Sequence, residues 1–301
     1  MQRIDSGRRH LLLVNPHAAG GRTIKLLPEV ERELRSRGVQ YRVVRTESLE
    51  HGVDEARAAA TRGEIPVVMS GDGLIGQVGG ALAETETPMG ILPGGRGNDL
   101  ARVLGIPDDP KGAVGVLAAG EERQIDVGEV NGRRFLCIAS CGFDSDANRI
   151  ANEARIVRGN LVYAYAAIRA LVGWRPATFT LELDGERVEN VGYSVAVANS
   201  KAYGGGMFIA PEADLADGEF DVVLTGEGSK LHFLANLPKV FKGTHVENDE
   251  VRVLRASEVQ VSADRDFAVY ADGEHLSDLP ATLRVLSGAL RVIAPPAGPR
   301  P

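Results

Sequence analysis

The feature that most constrains this chain is a regular alternation of short apolar runs and helical patterns up to about Val130. Between the runs, apolar residues recur at three- and four-residue intervals, which predicts amphipathic helices. The predicted strands are 11–15, 41–46, 66–70 and 89–93, and the predicted helices are 23–37, 49–62 and 74–84. Strands that alternate with helices form parallel sheets, whose ligands bind beyond the carboxyl ends of the strands.

Three of these strands end in glycine-rich stretches, which are NPHAAGG at 15–21, SGDG at 70–73 and LPGGRGND at 92–99. Glycine lets the backbone approach a ligand closely, and a helix that begins after such a turn directs free N–H groups at an anion. Asp72, between two glycines, suits a metal ion or a proton near that anion. An ordinary strand-to-helix turn with Asp72 as the helix N-cap is the simpler alternative.

After Val130 the apolar pattern changes to a period of two. The stretch ATFTLELDGERVENVGYSVAVAN holds two alternating runs around Asp184 and Gly185, which is a hairpin signal, and more alternating runs follow. Regular short strands with turn signals predict an antiparallel β-sandwich. We therefore expect an α/β domain at 1–128 and a β-sandwich domain at 129–301.

Composition excludes several classes of protein. The net charge of −7 argues against nucleic-acid binding, and no apolar run is long enough to span a bilayer. The two cysteines, Cys137 and Cys141, form no disulfide framework, and we expect buried, reduced thiols in a cytoplasmic protein. The absence of a Gly-Lys dipeptide rules out a Walker A loop, and the six histidines show no metal-ligand spacing.

Five motifs follow one another along the chain: NPHAAGG, SGDGLIGQV, LPGGRGNDLARVLGIP, APEADLADGEFDV and YADGEHL. In this order they resemble the catalytic domain of diacylglycerol and sphingosine kinases, with the layout of the bacterial soluble lipid kinases. The resemblance implies a nucleotide-binding α/β domain of the NAD kinase type and a lipid-binding β-sandwich, with the active site in the cleft between them. It also implies transfer of the ATP γ-phosphate, with Mg²⁺, to a hydroxyl group of a lipid such as diacylglycerol or a sphingoid base.

The resemblance also assigns roles to residues. Asp72, Asp272 and Glu274 would be catalytic, and whether Asp72 or Asp272 is the general base stays open. The nucleotide contacts would be Asn15, Thr46, Gly71, Gly73, Gly94, Gly95, Arg96, Gly97 and Asn98. For Asp272 the simpler alternative is a hairpin turn, because Asp-Gly is a common turn sequence.

Two further sites are implied in the second half of the chain. Asp146 would contact the lipid head group, in preference to Asp144 in the same stretch. A Mg²⁺ site would use Asp214, Asp217 and the backbone carbonyl of Glu219, since hard cations prefer oxygen ligands. A solvated acidic loop is the alternative for the second of these.

The chain departs from the family pattern at four positions, the first of which is Ser70 in place of a glycine. Leu74 replaces a threonine, Gln77 replaces a glutamate, and Arg96, where threonine is common, could supply a cationic phosphate contact. The sphingosine kinase branch shares Ser-Gly-Asp-Gly-Leu, so we still expect an ATP-dependent lipid kinase. The alternatives are a kinase of a soluble acceptor, as in NAD kinases, and a catalytically weak regulator that binds lipid or nucleotide.

Two segments combine basic and apolar residues. Arg149–Arg175 has five arginines and one glutamate, and Gly228–Val246 has three lysines and no acidic residue. Such segments are typical of peripheral contact with an anionic membrane, although packing against the core is the alternative. An exposed edge strand could also pair with a second copy, which leaves a homodimer open.

Overall fold

A computed structural model of the chain describes residues 8–153 and 161–296. The chain forms two compact units. One, called the α/β unit here, holds the residues up to Val127 and those from Ser287 onward, and the other, the β unit, is Gly128–Leu286. The parallel strands of the α/β unit are β1 (His10–Val14), β2 (Tyr41–Arg45), β3 (Ile65–Ser70) and β4 (Gly90–Pro93). The α-helices among its described residues are α1 (Arg22–Ser36), α2 (Leu49–Thr61), α3 (Asp72–Leu82), α4 (Asp99–Val103) and α5 (Pro110–Ala119).

The four strands form a parallel sheet in the order β2-β1-β3-β4. In its register, Val14 pairs with both Arg45 and Met69, and Ser70 pairs with Pro93. All four strands therefore end at the same edge of the sheet, and this edge carries the three glycine-rich stretches. Strands β1, β3 and β4 are buried along their whole length, as their continuous apolar runs require.

The β unit is built from antiparallel pairs. The strands from the boundary onward are β5 (Glu121–Val130), β6 (Arg133–Phe135), β7 (Ile138–Gly142), β8 (Ala177–Leu183), β9 (Glu186–Ala198), β10 (Phe220–Gly226), β11 (Val251–Ala256), β12 (Glu258–Ala263), β13 (Ala268–Ala271), β14 (Glu274–Asp278) and β15 (Ala281–Ala294). They pair in the order β14-β13-β7-β9-β8-β12-β15-β5-β6, with β10 on β9 and β11 on β10. A parallel α/β domain followed by an antiparallel β domain confirms the predicted fold class.

Three helices accompany these strands: α6 (Phe143–Glu153), α7 (Leu161–Gly173) and α8 (Lys230–Val240). The core of the β unit is rich in aromatic rings, with Phe143 in contact with Trp174, Tyr193 and Phe233 at centroid distances of 5.6, 6.1 and 4.8 Å. Among the described residues, no helix is long and apolar enough to cross a bilayer. The predicted lipid-contact segment Arg149–Arg175 lies partly outside the described residues, because it includes 154–160.

The last strand makes the division of the chain differ from the expected one. The boundary at Val127 lies close to the expected position, but β15 returns to the α/β unit from Ser287 onward. There, Met89 forms a parallel bridge with Val292, and its N–H donates to the carbonyl of Arg291 at 2.8 Å. The side chains of Leu290, Val292 and Ile293 are at most 1% exposed. The alternating pattern continues through the whole strand, so periodicity alone placed all of it in the second domain.

Candidate functional site

One carboxylate holds two of the glycine-rich stretches together. Asp72, at the start of α3, accepts hydrogen bonds from the backbone N–H of Asn98 at 2.9 Å and of Asp99 at 2.7 Å. Burial and the nearby Asp99 carboxylate raise the pKa of Asp72, while these backbone donors oppose the shift. Asp99 itself forms an ion pair with Arg102 at 2.6 Å. The stretches at 70–73 and 92–99 thus form one polar cluster at the carboxyl end of β3 and β4.

Several glycines at this edge are required by packing. A β-carbon on Gly95 would lie 2.4 Å from the Cα of Gly71, and one on Gly94 would lie 2.4 Å from the Thr23 side chain. Both distances are far below van der Waals contact. Glycine at position 95 therefore lets the two turns touch, and glycine at position 94 leaves room for the Thr23 side chain. At Gly73, in contrast, a β-carbon would meet nothing within 4 Å, so this missing side chain leaves open space at the start of α3.

Two of the helices that begin at this edge lack side-chain caps. At the N-termini of α1 and α3, which follow Gly21 and Gly71, no side chain accepts a hydrogen bond from the first turn. In contrast, Ser48 caps α2, which also begins at this edge, and Asp109 and Ser229 cap α5 and α8 in the same way. Because an uncapped N-terminus leaves backbone donors and a partial positive charge, this edge can receive an anion.

The remaining predicted nucleotide contacts lie at the same edge. Asn15 is half-buried, and its Oδ1 accepts from the N–H of His17 at 3.0 Å, which is turn geometry. Thr46 is buried at the end of β2, and its backbone N–H donates to the carbonyl of Val14 at 2.9 Å. Arg96 is exposed, and Gly97 accepts a hydrogen bond from Arg102 at 2.9 Å.

Sequence reasoning missed two residues that shape this edge. Arg22, the first residue of α1, donates to the carbonyl of Gly95 at 3.0 Å and pairs with Asp108 at 2.9 Å. Asp108 also accepts from the side chain of Asn98 at 2.7 Å, and Asn98 accepts from the N–H of Gly95 at 2.8 Å. Arg22 and Gly95 are 73 positions apart, so no local pattern could have indicated the contact.

In the β unit, Asp272 begins the turn between β13 and β14. Asp272 and Gly273 have φ values of 51° and 88°, close to those of the Asp184–Gly185 turn at 47° and 90°. The Asp272 carboxylate accepts from the N–H of Leu136 at 2.7 Å and of Cys137 at 3.0 Å. Asp184 likewise accepts from backbone N–H groups, so the two turns are geometric equivalents. Glu274 follows as the exposed first residue of β14.

A cavity of about 170 Å³ lies within the β unit, lined mainly by apolar side chains. At the 10–15 Å³ that one water needs, it has room for about a dozen waters or a stretch of hydrocarbon. Its lining includes Phe143, Tyr193, Val223, Phe233 and Leu237. Asp144 also lines it, and burial raises the pKa of this carboxyl group to about 6, although a hydrogen bond from Ser194 opposes the shift.

Asp146, the residue preferred from the sequence, lies in a different place. Together with Arg149, Arg169, Arg175 and Arg265 it lines a surface depression, and its carboxylate is 3.5 Å from the guanidinium of Arg149. Asp144 therefore joins the apolar cavity, whereas Asp146 joins an arginine cluster. The sequence stretch CGFDSDANR offered both carboxylates without indicating which one faces inward.

Arg255 occupies the acidic loop for which a Mg²⁺ site was predicted. Its guanidinium pairs with Asp217, lies 3.0 Å from Glu219 and lies 3.5 Å from Asp221. Among the described residues, no group of three or more His, Cys, Asp and Glu residues is placed to hold a metal. As folded, Asp217 supplies its carboxylate to Arg255, whereas Asp214 accepts a hydrogen bond from the N–H of Ala216 at 3.0 Å, and the Mg²⁺ site stays a prediction.

Comparison with known proteins agrees with this architecture. The sequence model of the diacylglycerol kinase catalytic domain matches residues 9–130, and the YegS C-terminal NAD kinase beta sandwich-like domain matches 137–294. A diacylglycerol kinase of Mycobacterium tuberculosis (strain H37Rv) is 36% identical over 310 residues, which covers 97% of this chain and 98% of that protein. A diacylglycerol kinase of Bacillus subtilis (strain 168) is 27% identical over 295 residues, covering 96% and 97%. The crystal structure of a diacylglycerol kinase from Bacillus anthracis (strain Sterne) is 20% identical with a TM-score of 0.74, covering 96% and 97%, and shares the fold.

The packing of the two glycine turns predicts opposite results for two similar substitutions. Gly95→Ala should lower the free energy of unfolding by about 1–3 kcal/mol, because the new methyl group overlaps the backbone of Gly71. Gly73→Ala should leave stability nearly unchanged, because its methyl group enters open space. Urea unfolding of both variants measures the difference, and equal losses would contradict the described contact.

The raised pKa of Asp144 predicts a pH dependence of stability. Its pKa of about 6 in the folded chain lies above its ordinary value of 3.8, so folding favours the protonated carboxyl group. Relative to Asp144→Asn, the wild type should therefore be most stable near pH 4 and lose that advantage as the pH rises through about 6. Urea unfolding across this range checks the prediction, and parallel profiles of the two proteins would contradict it.

Proposed function

Because this chain belongs to the diacylglycerol kinase family, we propose that it transfers the γ-phosphate of ATP to a hydroxyl group of a diacylglycerol-like lipid. In this proposal the α/β unit binds the nucleotide and the β unit binds the lipid. The observation that carries it is the apolar cavity of the β unit with the Asp144 carboxyl group in its lining. A lipid needs such a site, because its hydrocarbon must leave water while its hydroxyl group finds a polar partner.

Three observations support nucleotide binding at the edge of the parallel sheet. The N-termini of α1 and α3 have no side-chain caps, so their backbone donors are available to phosphate oxygens. Gly73 leaves open space at the start of α3, which permits close approach. Arg96 is exposed, and a guanidinium is a strong partner for phosphate.

The same edge suits magnesium as part of the Mg·ATP substrate. The carboxylates of Asp72 and Asp99 repel each other, and a cation there would relieve the repulsion that helps to raise the pKa of Asp72. Each oxygen of Asp72 accepts one backbone hydrogen bond, and a carboxylate oxygen has room for a second partner. When bound, Mg²⁺ would neutralise negative charge on the phosphates.

The chemical step needs no covalent intermediate with the protein. The lipid hydroxyl oxygen forms a bond to the γ-phosphorus, the bond from that phosphorus to the bridging oxygen breaks, and ADP leaves with the electron pair. The hydroxyl proton passes to a carboxylate, for which Asp72 and Asp272 are the two candidates. Positioning and charge neutralisation supply most of the rate in such transfers.

We propose further that the β unit meets the membrane at the face of α7 and α8. Val172 and Leu231 are 78% and 79% exposed, and the Lys230 ammonium group joins the two helices by donating to the carbonyl of Val172 at 2.9 Å. The arginine cluster of Arg149, Arg169, Arg175 and Arg265 lies beside α7. Exposed apolar side chains next to cationic ones favour an anionic bilayer surface.

Phosphate transfer to defined lipids tests the kinase proposal. With labelled ATP, Mg²⁺ and mixed micelles, we expect the wild type to label diacylglycerol more than monoacylglycerol, ceramide or sphingosine. Asp72→Asn should lower kcat by roughly 10²- to 10⁴-fold, because it removes a charge that acts in the transition state. Labelling of no lipid by a protein that still binds ATP would disprove the proposal.

Asp184→Asn is a matched control for Asp272→Asn in this assay, because both residues begin equivalent Asp-Gly turns. If Asp272 takes the proton, only its variant should lose activity, while urea unfolding shows similar destabilisation of both. Similar activity in the two variants would assign Asp272 to the turn alone and leave Asp72 as the base.

Vesicle sedimentation tests the membrane face. Val172→Ser and Leu231→Ser should each weaken binding to phosphatidylglycerol-containing vesicles by about tenfold, since each removes an apolar side chain that would enter the bilayer. Val191→Ser is the control, because Val191 is 48% exposed on β9 and belongs to neither α7 nor α8. Equal effects of all three substitutions, or equal binding to neutral phosphatidylcholine vesicles, would contradict the assignment.

A further inference from the structure

A buried histidine in the lining of the cavity has no partner for its polar atoms. His245, in the short helical turn Thr244–Glu247, is 6% exposed and lines the cavity of the β unit. Neither its Nδ1 nor its Nε2 forms a hydrogen bond with a described residue. Native chains satisfy nearly all buried polar atoms, so two such atoms on one ring in a cavity wall point to a contact with a polar group of a ligand.

The other buried histidine of the chain shows the contrast. His10, on β1, is also 6% exposed, but its Nδ1 lies 3.3 Å from the carbonyl of Gln40. It therefore keeps one hydrogen bond to the backbone, although its Nε2 has no hydrogen-bond partner among the described residues. His245 differs in having both nitrogens unpartnered and in facing a space that can hold a ligand.

The chemistry of the ring limits what the ligand group can be. Burial lowers the pKa of His245. The backbone of Ile209 opposes this lowering of the pKa, although it forms no hydrogen bond of good geometry with the ring. The imidazole is therefore neutral near pH 7 and offers one N–H donor and one acceptor nitrogen. A carbonyl oxygen carried within a hydrocarbon ligand is an acceptor that this donor can meet inside an apolar cavity.

We propose that His245 donates a hydrogen bond to a carbonyl oxygen of the acyl group that enters the cavity, and so selects acyl lipids over lipids with plain alkyl chains. This inference rests on the proposed lipid-binding function of the β unit and names a second polar contact for that site, in addition to Asp144. His245 then distinguishes an acyl chain from an alkyl chain by the carbonyl group, while the apolar lining of the cavity contacts the hydrocarbon itself. His245 acts as a specificity-determining residue, since the hydrogen bond is formed away from the reacting hydroxyl group.

The single tryptophan of the chain provides a direct binding signal. Trp174 stacks on Tyr193 at a centroid distance of 6.2 Å and contacts Phe143 edge-on at 5.6 Å, and both of these rings line the cavity. Its fluorescence should change when the cavity fills. Titration with dioctanoylglycerol and with its dioctyl ether analogue, both in detergent micelles, measures affinity for an acyl lipid and for a matched lipid without carbonyl groups.

We expect the wild type to bind the ester about three- to tenfold more tightly than the ether, which is the usual contribution of one hydrogen bond. In His245→Leu this ratio should approach one, and His245→Gln, which keeps a donor, should retain part of it. His10→Leu is the matched control for loss of a buried histidine and should keep the wild-type ratio. Far-ultraviolet circular dichroism of each variant verifies folding.

Three results would overturn the inference: equal affinity of the wild type for ester and ether, an unchanged ratio in His245→Leu, or no saturable signal with either lipid. Phosphate transfer to the same two lipids is measured in parallel. Ester selectivity that depends on His245 but is accompanied by no phosphate transfer would overturn the kinase proposal and still establish the contact. Phosphate transfer without ester selectivity would support the kinase proposal and overturn the proposed contact of His245.

Discussion

The α/β unit depends on a carboxylate that is held by backbone donors. Asp72 accepts the N–H groups of Asn98 and Asp99, so the turn after β3 and the turn after β4 are joined through one side chain. The glycines make this possible because their Cα atoms touch where any β-carbon would overlap. The contact places the uncapped start of α3 in a defined position, and it keeps a negative charge partly buried at the place where phosphates are proposed to bind.

The β unit uses carboxyl groups for two different purposes. At Asp184 and Asp272 the carboxylate fastens a tight turn to a neighbouring strand through backbone N–H groups. At Asp144 the carboxyl group instead lines an apolar cavity, where burial raises its pKa to about 6. Hydrogen bonding to the backbone stabilises the charged form, whereas burial penalises it, so residues of one type come to differ in chemistry.

The parts of the structure that follow from local pattern could be predicted from the sequence. Alternating apolar runs predicted the parallel sheet, and the glycine-rich stretches marked the edge where its strands end. The partners of Asp72 and Asp272 could not be predicted, because they lie 26 and 136 positions away along the chain. The sequence could not show which of Asp144 and Asp146 lines the cavity, because two positions on a helix differ by about 200° around its axis and packing decides which one faces inward. The contact of Asp146 with a lipid head group stays a prediction.

The return of β15 to the α/β unit separates the order of synthesis from the order of folding. The first 127 residues emerge from the ribosome long before the buried side chains of Leu290, Val292 and Ile293 that complete their packing. The packing of the N-terminal segment is therefore completed only after these later residues have been made. A change near residue 290 thus alters the stability of a unit to which the residues up to Val127 belong, although more than 150 positions of the chain separate the two parts.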